Sequence, residues 1–115
     1  MITRKEECKS ETREHMRGGA GEVCITHFTD REGLYGKGRM FSKILLKPGC
    51  EVGYHDHHNE EEIFFIIKGQ GTYNDNGVLS VVKEGDITFC QDGESHGLIN
   101  DTDSDLEMVA LILDK

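Results

Sequence analysis

From Glu22 onward, apolar and polar residues alternate in short runs separated by breaks rich in glycine, asparagine and aspartate. A period of two marks a strand, because successive side chains point to opposite faces. The runs are Glu22–Phe28, Arg39–Lys47, Glu51–His55, Glu61–Lys68, Gly71–Tyr73, Val78–Val82, Ile87–Cys90, Gly97–Ile99 and Leu106–Leu113. Asn76-Gly77 lies between two of them and predicts a tight hairpin, since both residues accept the left-handed backbone that such a turn requires. Nine strands within 115 residues predict one all-β domain, closed as a sandwich or barrel.

Two runs are apolar on both faces. In Glu61–Lys68, Glu62, Phe64 and Ile66 share one side, and Ile63, Phe65 and Ile67 the other. Leu106–Leu113 sets Met108, Ala110 and Ile112 against Val109, Leu111 and Leu113. One layer of a small sandwich covers only one face, so the second face needs either the N-terminal segment or another subunit. A homodimer is the expectation. Residues 1–21 differ from the rest, being rich in Lys, Arg and Glu and closing on Arg17-Gly18-Gly19-Ala20-Gly21. They are read as an irregular arm with a flexible turn, leaving residues 22–115 as the domain.

Charge narrows the function. Thirteen basic against 22 acidic side chains give a net charge of −9, which would repel a nucleic-acid backbone or an anionic membrane surface. No run reaches the length of about 18 apolar residues that a membrane span requires. The polar opening lacks the apolar stretch of a secretion signal, so a cytoplasmic location is expected. Cys8, Cys24, Cys50 and Cys90 form no C-x-x-C pair and are expected to be free thiols.

Chemistry concentrates in Gly53-Tyr54-His55-Asp56-His57-His58-Asn59, followed by Glu60-Glu61-Glu62. On a strand His55 and His57 point the same way and can reach one metal ion, while Tyr54 and His58 point away. A carboxylate at the start of the next strand, Glu62, would add an anionic ligand. Taken alone, such a cluster is equally the make-up of a solvated loop. Arg39 and Lys43 share a strand face and could assist in holding an anion. His27 reads as structural or solvated. Ser95 beside His96 lacks the context of a catalytic triad.

The spacing of these residues resembles the cupin family. Gly49, His55, His57, Glu62 and Gly69 fit G-x5-H-x-H-x(3,4)-E-x6-G, and Gly85, Gly93, His96 and Asn100 fit G-x5-P-x-G-x2-H-x3-N, with Gln91 in place of proline. Fifteen residues, Gln70 to Glu84, separate the two motifs, a short spacing for the family. The resemblance implies a double-stranded β-helix, or jelly-roll barrel, that brings His96 to His55, His57 and Glu62 around a divalent metal. Mn, Fe, Ni, Co, Cu and Zn all suit three imidazoles and a carboxylate. The Gln91 departure bears on turn geometry and removes no ligand.

The chain also resembles half of an oxalate decarboxylase, which implies a small chelating carboxylate as ligand. Two functions fit. One is a metalloenzyme acting on a carboxylate or oxygenated metabolite by decarboxylation, oxidation or isomerisation. The other is a non-catalytic cupin that binds or senses a small molecule. No residue stands out as the acid or base that turnover would require.

Overall fold

Period-two patterning becomes ten strands in the computed structural model, which describes residues 1–115. In chain order they are β1 (Lys9–Glu14), β2 (Glu22–Thr29), β3 (Gly38–Leu46), β4 (Glu51–Asp56), β5 (Glu60–Lys68), β6 (Gln70–Asp75), β7 (Val78–Lys83), β8 (Ile87–Cys90), β9 (Ser95–Ile99) and β10 (Leu106–Asp114). They form a six-stranded sheet, β1-β2-β3-β10-β5-β8, facing a four-stranded sheet, β4-β9-β6-β7. Every pairing is antiparallel. No helix is long and apolar enough to cross a membrane.

The N-terminal segment corrects one expectation. Lys9–Glu14 is not irregular: it pairs with β2 along its whole length, from Lys9 opposite His27 to Glu14 opposite Glu22. Its side chains are almost all exposed, so no hydrophobic alternation announces it. Side-chain bonds tie it down instead. His27 Nε2 lies 2.6 Å from Glu11 Oε2 and its Nδ1 lies 3.0 Å from Ser42 Oγ, so one imidazole joins β1, β2 and β3. The structural reading of His27 holds. Because β1 extends the edge of the sheet, it does not cover the sheet's outer face.

Inward positions of both sheets make the core. Ile25, Ile44, Phe64, Ile66, Leu98, Leu106 and Met108 are essentially without solvent contact. The other side of the six-stranded sheet stays partly open, with Phe41, Phe65, Ile87 and Phe89 exposed. The hairpin at Asn76-Gly77 forms as expected, with φ of 52° and 96°, and Gly77 N–H donates to Asn74 Oδ1 at 2.7 Å.

Asn100, fully buried, organises the loop that leads into β10. Its Nδ2 donates to the carbonyls of Leu46 at 2.8 Å and Ser104 at 2.7 Å, while Oδ1 accepts from Thr102 N–H at 3.0 Å and Thr102 Oγ1 at 2.7 Å. Removing such a group strands buried carbonyls, each at about 1–3 kcal/mol. Asn100→Ala is therefore expected to lose about 2 kcal/mol or more of stability, read as a lowered urea midpoint with an unchanged slope.

Candidate metal centre

The β4–β9 register sets His55 directly opposite His96. His57 lies one residue beyond β4, anchored by its own N–H to Glu94 O at 3.0 Å and by Gly93 N–H to its carbonyl at 2.7 Å. Glu62 comes from the facing sheet, on the inward side of β5 with Phe64 and Ile66. The three rings and the carboxyl meet between the layers, where Glu62, His57 and His96 are buried. Tyr54 and His58 turn outward as expected; His58 pairs with Asp56 at 2.6 Å on the surface.

One ligand atom from each of His55, His57, Glu62 and His96 lies within 4.8 Å of the others. His57 Nε2 is 3.0 Å from His55 Nε2, 3.2 Å from His96 Nε2 and 3.1 Å from Glu62 Oε1. His96 Nε2 is 2.9 Å from the same oxygen.

The opposite ring nitrogens decide which atoms carry protons. His55 Nδ1–H donates to Gly53 carbonyl at 2.6 Å, and His57 Nδ1–H donates to the Glu60 carboxylate at 2.6 Å. In a neutral imidazole the other nitrogen is then a bare acceptor. Tyr73 hydroxyl occupies the outward nitrogen of His96 at 2.8 Å, and Phe64 stacks on that ring at 5.1 Å. The inward Nε2 of neutral His55 and His57 is thus a lone pair, and the three rings converge on a buried carboxylate. That donor set fits a cation, and the outward bonds are those that orient metal-binding histidines.

Electrostatics agree. Burial opposes ionisation of Glu62, but hydrogen bonds from His55, His57 and His96 outweigh it and hold the carboxyl far below the usual carboxylate range. Burial also keeps His96 neutral, with its pKa lowered. At His57 burial opposes protonation, yet hydrogen bonds to Glu62 and Glu60 prevail and raise its pKa. A metal-free cluster accordingly takes up a proton where a cation would sit, so metal and proton compete.

Three supporting residues emerge from the coordinates. Glu60 orients His57 and is itself gripped by Arg39 at 2.9 and 2.8 Å. Tyr73 supports His96. Its inward place in β6 is a legible signal, since a buried tyrosine needs a partner for its hydroxyl. Arg39 lines the cavity over the cluster, whereas Lys43 does not and instead pairs with Glu107 at 3.5 Å. That cavity measures about 290 Å³ and is also lined by Arg13, Glu14, Met16 and Arg17. Gln91 replaces the rigidity of proline with bonds that proline could not make: its N–H donates to Glu94 Oε1 at 2.8 Å. Cys90 is buried against this region and its thiol is pushed up to about 12 by desolvation, which makes it a core residue and not a nucleophile.

Residues 42–112 match the family described as Cupin domain. The oxalate-binding protein of Thermotoga maritima is 41% identical over 113 residues, covering 98% of this chain and 93% of the relative. A crystal structure of a predicted oxalate decarboxylase from the same organism superposes with a TM-score of 0.95 at 40% identity, over 100% of both chains. An RmlC-like cupin from Shewanella frigidimarina superposes with a TM-score of 0.71 at 18% identity, over 99% of this chain and 90% of that one. At that identity the likeness concerns the fold alone.

The Arg39 guanidinium, and then His57, lower the Glu60 pKa from 4.5 to about 2. A depressed folded pKa contributes stability that is complete above the unfolded value and disappears as pH falls through the folded one. In metal-free protein the stability advantage over Glu60→Gln is therefore expected to shrink as pH falls between 4.5 and about 2, and to decline also as pH rises through the titration of His57, whose protonated form Glu60 favours. Urea unfolding of both proteins at stepped pH measures it.

Proposed function

The chain belongs to the cupin family, and on that premise we propose that it binds a divalent transition metal through His55, His57, Glu62 and His96 and uses the site to hold a small chelating carboxylate of the oxalate class. The observation that carries this reading is the convergence of three imidazole nitrogens and a carboxylate oxygen on one buried point beneath a cavity of about 290 Å³. When bound, a divalent ion supplies positive charge that a carboxylate oxygen can share. The protein's own part is to fix the ligand atoms: the Gly53 carbonyl, Glu60 and Tyr73 hold the rings, and Arg39 holds Glu60. The name of the Thermotoga maritima oxalate-binding protein supports the same ligand class.

Binding is the function that this geometry supports best. Glu62 is committed to the cluster and Glu60 to Arg39 and His57, so neither is available as a proton donor. Turnover is a separate activity, tested by incubating Mn- or Fe-loaded protein with oxalate under air and following its consumption. Four free thiols support a reducing, cytoplasmic setting.

Assembly as a homodimer is supported by the outer face of the six-stranded sheet. Phe65 is paired with Val109 and Ile87, and Ile63 with Leu111 and Phe89, so these side chains form one continuous apolar surface. Phe65, Ile87 and Phe89 expose 44%, 55% and 53% of their area, more than isolated surface hydrophobes would explain. Light scattering is expected to give twice the 12.9 kDa chain mass at micromolar concentration. Phe65→Glu is expected to give the monomer. A monomeric wild type contradicts the assembly.

His57→Ala is expected to lower bound metal from about one ion per chain to a small fraction and to abolish oxalate binding, with elemental analysis and calorimetry as the readouts. Undiminished metal in that variant moves the site elsewhere.

A further inference from the structure

One wall of the cavity over the cluster comes from outside both cupin motifs. Arg13, Glu14, Met16 and Arg17 form it, from the end of β1 and the turn that follows. This turn crosses from the six-stranded sheet to β4 and is stapled there: Ala20 N–H donates to Glu51 Oε1 at 3.0 Å, and Glu51 N–H donates to Ala20 carbonyl at 2.9 Å. Met16 packs against the core. A Cβ on Gly53 would overlap the Arg17 carbonyl, and one on Gly19 would overlap Glu51, so the close seating depends on two glycines.

The same turn holds Arg17 in the left-handed region, with φ of 55° and ψ of 30°. A non-glycine residue adopts that backbone at a cost and keeps it only where its surroundings enforce it. Here His15 Nδ1–H donates to Gly19 carbonyl at 3.2 Å, and Gly18 N–H donates to His15 carbonyl at 2.9 Å.

The charges around the cavity are not equally available. Arg13 is engaged by Glu11 at 2.6 Å, and Arg39 is engaged by Glu60 at 2.8 Å. Glu62 belongs to the cluster. Arg17 and Glu14 remain without a side-chain ion pair, one cation and one anion on the same wall. A chain of net charge −9 repels a small anion at long range, so capture needs a local cation within a screening length.

We propose that Arg17 grips the carboxylate of the bound ligand, and that the β1–β2 turn is built to present it over the metal centre. The inference rests on the carboxylate reading given above. A guanidinium offers two parallel N–H donors that match a carboxylate. Glu14 opposes it, so the two residues set anion affinity in opposite directions.

The test titrates oxalate, and imidazole as an uncharged metal ligand, into the Co(II)-loaded full chain by calorimetry, with bound metal measured in every sample. Arg17→Gln is expected to weaken oxalate at least tenfold and to leave imidazole within twofold. Arg17→Lys is expected to fall between that variant and wild type, and Glu14→Gln to bind oxalate more tightly than wild type. Equal oxalate affinity in Arg17→Gln overturns the proposal while leaving the carboxylate reading intact. Equal weakening of both ligands, or loss of metal, assigns Arg17 a structural role and overturns it too. Wild type that binds imidazole but not oxalate overturns the carboxylate reading, and this proposal with it.

Discussion

Crowding of three imidazole nitrogens and a carboxylate oxygen around one buried point is the constraint around which the site is organised. Nε2 of His55, His57 and His96 and Oε1 of Glu62 lie within 4.8 Å of one another. The opposite nitrogens of neutral His55 and His57 use their protons on Gly53 and Glu60, which turns a lone pair of each ring inward. Such an arrangement in a dry interior is unfavourable until a proton or a metal ion enters it, because unpaired buried lone pairs and charges lose their hydration. The barrel supplies the restraint: His55 and His96 face each other across one sheet, and Glu62 arrives from the other.

What the sequence made legible follows from which signals are local. The alternation that marks strands is local, and each of the nine expected runs appears with ends moved by two residues or fewer. The His55-x-His57 pair is local as well, since neighbouring positions of like parity share a face. His96 is not, and its arrival rested on the second cupin motif.

The rest needed contacts that no short pattern encodes. Lys9–Glu14 is polar on both sides, so nothing in its periodicity marks it as a strand; its place comes from β2 and from the Glu11–His27–Ser42 bonds. The Arg39–Glu60–His57 chain spans β3, β5 and the end of β4. Arg39 read from its own strand is simply a polar residue on an alternating face, as is Lys43, and only packing separates their roles. Gln91 shows the converse: a departure from the motif that a turn absorbs through its N–H.

Anomalous diffraction from crystals of protein purified without added metal gives the most direct view of the centre. One ion is expected about 2.0–2.2 Å from Nε2 of His55, His57 and His96 and from a Glu62 carboxylate oxygen. A metal-replete crystal with no peak at that point, or with the His96 ring turned away from an ion held by other residues, would contradict the four-ligand centre.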